Sequence, residues 1–115
     1  MKALHLRKGD SAEALAQQWL KKQGLALVDK NYRCKAGEID LIMQDGSTLV
    51  FVEVRYRSNP DFGSAIDSVT PAKQQKLLRT AQHYLQRLSQ TPACRFDIIG
   101  INAQKQIQWI KNAIQ

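Results

Sequence analysis

Apolar residues along the chain change their period several times, and each change marks an element. Ala12, Leu15, Ala16, Trp19 and Leu20 recur at helical spacing, with Asp10 or Ser11 available as a cap and Gly24 as a stop. Glu13 falls at the edge of that apolar face. Leu25 to Lys35 reads as a first strand. From Glu38 to Met43 the period becomes two, with Glu38, Asp40 and Ile42 on one side and Ile39, Leu41 and Met43 on the other. Asp45-Gly46 supplies turn chemistry. Alternation resumes from Leu49 to Arg57, where Phe51, Glu53, Arg55 and Arg57 share one face and Val50, Val52, Val54 and Tyr56 the other.

The Ser, Asn, Pro, Asp and Gly content of residues 58–71 predicts a loop. Thr70-Pro71 then opens a second helix as a cap followed by proline. Its apolar face is Leu77, Leu78, Ala81, Tyr84, Leu85 and Leu88, the helix being expected to run to about Leu88. "CRFDIIGIN" is a further strand, with "QIQWIKNAI" as its hairpin partner or a terminal extension. The order α-β-β-β-α-β-β predicts one α/β domain over 1–115, with a mixed sheet flanked by helices. Residues 1–8 are expected to be a flexible basic segment.

The acids interrupt this pattern. Glu38, Asp40 and Glu53 sit in strands that otherwise read as core, where an unpaired charge costs several kcal/mol. If Gln44 pairs with Leu49, Asp40 lies opposite Glu53 and Glu38 opposite Arg55. If the turn is two residues at Asp45-Gly46, Glu53 becomes a diagonal neighbour of Asp40. Cβ separations are then about 5 Å or about 7 Å. Two carboxylates that close need a positive partner. Mg²⁺ or Mn²⁺, which favour oxygen ligands, would serve. So would Arg55 or Arg57, in a network of cross-strand ion pairs.

Charge bears on partners. A net charge of +7 and a pI of about 9.7 favour a polyanion, with nucleic acid ahead of acidic lipid, although excess Lys and Arg also keep small proteins soluble. Cys34 and Cys94 lack metal-ligand spacing and are expected as free, partly buried thiols. No segment has signal-peptide or transmembrane character, so a cytoplasmic protein with no membrane partner is expected.

"GEIDLI", a turn and "FVEVRYR" resemble the active-site hairpin of the PD-(D/E)xK nuclease superfamily. The pattern there is an acid on one strand and Asp/Glu-x-Lys on the next. Asp40 matches the first acid, and Glu53-Val54-Arg55 the second motif, with Arg in the Lys position. Glu13, in "GDSAEALA", matches the helical Glu of the archaeal Holliday-junction resolvase branch. From Gly9 to Ala113 the chain is similar to the YraN family of uncharacterised bacterial proteins, through "GDSAE", "NYR", "GEIDLI", "FVEVRYR", the Lys73 helix, "CRFDIIG" and "WIKNA".

The resemblance implies a restriction-endonuclease-like αβββαβ core and a metal-dependent phosphodiesterase acting on nucleic acid, DNA before RNA. Asp40, Glu53 and Glu13 would hold Mg²⁺ or Mn²⁺. Arg55 would stabilise phosphoryl charge, and Lys73 could replace the missing ammonium. Gln74, in the apolar stripe of the second helix, is expected either as a buried hydrogen-bonding residue or facing the cleft, the latter favoured because RecB-type nucleases carry a helix Gln nearby. Because resolvases of this fold act as dimers, a homodimer is a further expectation. Arg33, Lys35, Arg55, Arg57 and Lys76, with Tyr32, could form a phosphate-tracking surface. The competing expectation is a non-catalytic nucleic-acid-binding or adaptor module that retains the nuclease fold. Several residues have plainer expected roles. Asp97 should pair with Arg95, Glu38 with an arginine across the hairpin, and Trp19 and Trp109 should belong to the core.

Overall fold

In the computed structural model, residues 8–57 and 67–114 are described, with side chains from Ala12 onward. Helix α1 spans Lys8–Lys22 and leads through Gly24, at φ +100°, into β1, Ala26–Cys34. Strands β2, Gly37–Asp45, and β3, Thr48–Arg57, follow. Helix α2, Pro71–Leu85, then crosses to β4, Ala93–Asn102, and β5, Ile107–Ile110, ends the order. The sheet runs β1-β2-β3-β4-β5, antiparallel except for the β3–β4 pair, which the α2 crossover makes parallel. This is the expected mixed α/β sheet in one domain, with the restriction-endonuclease-like αβββαβ core.

Each helix covers one face of the sheet. Ala12, Ala16 and Leu20 of α1 pack with Leu41, Met43, Val50, Val52, Ile99 and Ile101. Leu77, Ala81 and Tyr84 of α2 pack with Ile42, Leu49, Phe51, Phe96 and Ile98. The alternation of β3 sorts its residues between the two layers as expected.

Boundaries and faces differ from expectation in several places. Helix α1 begins at Lys8, ahead of Asp10 and Ser11. The N-terminal segment expected to be flexible falls, up to residue 7, outside the described residues. Helix α2 stops at Leu85, three residues before Leu88, which is 38% exposed. A shorter α2 still spans the strands it covers. The turn after β2 is Gly46-Ser47, with Asp45 paired to Thr48 and Gly46 at φ +60°. Cys34 is half-buried as expected, but Cys94 is exposed; both are free.

The difference that matters most is in β2. Ile39 packs with Ile42 on the α2 face, although strict alternation would place it with Leu41 and Met43. The period therefore slips by one between Ile39 and Ile42, around Asp40. Across the sheet Asn31 adopts φ +53°, and it is missing from the run of β1–β2 pairs on either side of it.

Candidate functional site

The β2–β3 ladder explains how the acids meet. Its pairs run Asp45↔Thr48, Gln44↔Leu49, Met43↔Val50, Ile42↔Phe51 and Leu41↔Val52, then stop. This is the register in which the next opposed residues are Asp40 and Glu53. There the strands part. The Val54 N–H donates to Asp40 Oδ2 at 2.8 Å, in place of a ladder carbonyl. A side chain thus closes the ladder, and the carboxyl is held where the strands separate.

Four elements converge on this point. The carboxyl of Asp40 comes within hydrogen-bonding reach of Glu13 of α1 and Glu53 of β3. Glu53 is 4% exposed. Its Oε2 accepts from Arg55 Nη1 at 3.0 Å and lies 3.5 Å from Lys73 Nζ, in the first turn of α2. Lys73 is placed there by a fixed helix start. The Thr70 hydroxyl accepts from the Lys73 N–H, and Pro71 occupies the first helical position.

The electrostatics follow from burial. Desolvation raises the Asp40 pKa, against the Val54 N–H and its carboxyl partners, which lower it; nearby Glu38 adds to the rise. Desolvation also pushes Glu53 up to about 7, reinforced by the Asp40 charge and opposed by Lys73 and Arg55. Two carboxyls this close, one buried and one half-buried, favour a shared proton or a cation between them. Among the described residues no group of three or more His, Cys, Asp and Glu side chains forms a ready metal cage. Mg²⁺ and Mn²⁺ ordinarily take one or two carboxylates with water completing the shell, and the Asp40–Glu53 pair supplies that hard-oxygen donor set. The residues present therefore fit such an ion.

Arg55 is fixed on both sides. Besides Glu53, its Nε donates to Ser68 Oγ at 2.8 Å and its Nη2 approaches the Ser68 carbonyl at 3.5 Å. Ser68 had no signal in the sequence, since a serine in a polar loop looks like any other. Gln74 donates Nε2 to the Val69 carbonyl at 3.1 Å, so it ties the same loop to α2. The remaining basic candidates lie away from the two carboxyls, on the surface. Arg57 Nη1 donates to the Tyr56 carbonyl at 3.3 Å. Lys76 is exposed on α2, and Arg33 and Lys35 are exposed at the end of β1 and in the β1–β2 turn.

Glu38 finds its arginine across the β1–β2 hairpin, at Arg33, with Nε 3.4 Å from Oε2. Arg55, its opposite number in the expected β2–β3 register, turns to Glu53 and Ser68 because the ladder has already opened. Tyr32 is not free to track phosphate. It bonds His83 and stacks edge-on against Tyr84. Asp97 pairs with Arg95 as expected, and also accepts from Trp109 Nε1 and the Asn112 N–H. Trp19 and Trp109 meet edge to face with centroids 5.6 Å apart. Among the described residues, no helix is long and apolar enough to cross a membrane.

Comparison with known proteins places the chain in a family. A "UPF0102 protein" of Nitrosococcus oceani is 52% identical over 98% of this chain and 95% of its own length. One of Nitrosomonas eutropha is 58% identical over 92% and 91%, and one of Coxiella burnetii 57% identical over 93% and 91%. Among solved structures, Pyrococcus furiosus SfsA in complex with Ca²⁺ aligns with 93% of this chain and 63% of that one, at 10% identity. Its TM-score of 0.35 is too low to support any conclusion about this chain. The model of uncharacterised protein family UPF0102, the YraN family, matches residues 12–101, and the chain belongs to that family.

Proposed function

We propose that this protein is a divalent-metal-dependent phosphodiesterase acting on nucleic acid, with branched or damaged DNA as its substrate class. The observation that carries this reading is half-buried Asp40 set against buried Glu53 at the point where β2 and β3 part. Stability alone gives no reason to bury two like charges together.

Asp40 and Glu53 would hold Mg²⁺ or Mn²⁺, with Glu13, beside Asp40, reaching a water of the ion's shell. The ion would supply charge neutralisation at the phosphoryl oxygens and acidify the attacking water. The guanidinium of Arg55 offers donors and no acceptor, so it would stabilise developing phosphoryl charge and leave the proton to another group. Ser68 fixes the plane of its guanidinium. Lys73, 3.5 Å from Glu53, supplies the ammonium that the motif usually carries on the strand.

A second reading has its own observation. Arg55 and Lys73 already neutralise Glu53, as they would in a nucleic-acid-binding module that keeps the hairpin as scaffold. Calorimetric titration with Mn²⁺, on wild type and on the Asp40→Asn and Glu53→Gln variants, separates the two. The enzyme reading expects binding that both substitutions abolish, together with Mn²⁺-dependent cleavage of branched DNA. Absence of any metal binding sensitive to these substitutions overturns it. Salt-dependent DNA binding without cleavage would then favour the module.

A further inference from the structure

Helix α2 contains no acidic residue, although acids are favoured in a first turn by the helix dipole. Its sequence, PAKQQKLLRTAQHYL, places Lys73, Lys76, Arg79 and His83 at successive steps of three, three and four. Residues so spaced lie one above another on a single helix face. The stripe begins against Glu53, through Lys73, and ends in a groove.

That groove, of about 540 Å³, lies between the β1–β2 turn and the C-terminal half of α2. Arg33, Lys35 and Arg79 line it with Gln82, His83 and Gln86, and no acidic side chain does. Glu38 is near its rim, engaging Arg33 through Nε. The groove's aromatic side is held in place. Tyr32 bonds His83, Tyr84 abuts Tyr32, and the Arg87 guanidinium lies 5.4 Å from the Tyr32 ring centroid. Gly37 allows the close approach of the turn to the helix, since a Cβ there would stand 3.1 Å from Thr80 Oγ1.

Two lengths locate the groove relative to the carboxyls. Along α2, Lys73 to Arg79 and His83 is roughly 9–15 Å at 1.5 Å per residue. Along β2, Asp40 back to Lys35 is roughly 16 Å at about 3.3 Å per residue. One DNA strand advances about 3.4 Å of axis per nucleotide, so the groove stands roughly three to five nucleotides from the acids.

We propose that this groove is a second, non-reacting phosphate subsite. Arg33, Lys35 and Arg79 would grip the backbone of a nucleic-acid strand whose reacting phosphate lies at Asp40 and Glu53, with Lys76 between them. The proposal rests on the nucleic-acid reading above and adds a register to it. Contacts to phosphate position a strand without reading its sequence, so the subsite sets where the strand lies and leaves base identity open.

The test is binding of short duplex and single-stranded oligonucleotides in EDTA, across a salt series, so that no cleavage intervenes. The paired variant Lys35→Glu with Arg79→Glu is compared with Lys21→Glu with Lys22→Glu, an equal charge change at the far end of α1. Lys35→Ala with Arg79→Ala provides a milder version, and circular dichroism verifies the fold of each. Loss of tenfold or more in affinity by the groove variant is expected, with a salt slope shallower by about two, since each phosphate contact contributes about 0.9. The control pair should lose less than threefold. Equal losses in the two pairs, or no loss in either, would overturn the subsite. So would tight binding to anionic phospholipid vesicles with no oligonucleotide binding. Metal binding is read separately by the Mn²⁺ titration. An unchanged groove variant with intact Mn²⁺ binding removes the subsite alone, whereas a groove effect without Mn²⁺ binding removes only the nuclease.

Discussion

Glu53 concentrates the physical tension of the molecule in one side chain. It is nearly inaccessible, faces Asp40, and still keeps two cations within 3.5 Å. Its pKa of about 7, against an ordinary 4.5, means that the folded chain binds this proton more tightly than the unfolded one. The associated stability is complete below about pH 4.5 and is lost as pH rises to about 7. Asp40 shifts in the same direction and adds to the trend. In chelator-containing buffer, chemical denaturation should therefore find wild type less stable at pH 8 than at pH 5, by about 2–3 kcal/mol from Glu53. Glu53→Gln should flatten that dependence and be the more stable protein at pH 8. A wild-type profile that rises across this window would show that Glu53 is ionised throughout.

Gly37 sits where two elements meet. Its φ of +153° lies outside the range that side chains favour, and its missing Cβ leaves room for Thr80, whose hydroxyl bonds the Lys76 carbonyl. Gly37→Ala should cost about 1–3 kcal/mol, measured as a fall in denaturation midpoint. Adding Thr80→Ala should relieve the steric part and leave the backbone part. Full recovery in the double variant would assign the whole cost to the clash. The same junction shows how far an element can be read in advance. Thr70-Pro71 opened α2 where local chemistry said it would, whereas Leu88 was drawn into the helix by its apolar side chain alone. Helix starts carry specific caps, and this helix end has neither glycine nor proline to mark it.

At the scale of the whole molecule, Asp97 ties the last two strands to the chain end. Its carboxylate accepts from Arg95, from Trp109 Nε1 at 2.9 Å and from the Asn112 N–H at 2.9 Å, with the side chain fully buried. Asp97→Asn keeps the shape but removes the charge that Arg95 needs, and should cost about 3–5 kcal/mol. Retention of wild-type stability would mean that Arg95 is satisfied by Asp45, 3.0 Å away. Asp97 stands opposite Val52, one residue from Glu53's own partner Ile98, but bonds Trp109 on the α1 face of the sheet. Glu53 alternates with Val52 onto the α2 face, so the substitution should leave Mn²⁺ binding at Asp40 and Glu53 unchanged in molecules that remain folded.

Local pattern determined the elements, their order, the mixed sheet and the face of β3 that carries Glu53, because alternation and caps act within a few residues. It also brought Asp40 and Glu53 to the same stretch of hairpin, since the β2–β3 register follows from a short turn. Tertiary structure decided the rest. The slip around Asp40, the end of the ladder at Leu41↔Val52, the capture of Arg55 by Ser68 and the arrival of Lys73 at Glu53 depend on how separate segments pack. So does the convergence of Arg79 and His83 with Arg33 and Lys35 around one groove. No spacing in the sequence encodes these meetings, because each joins residues of separate segments that only their packing brings together.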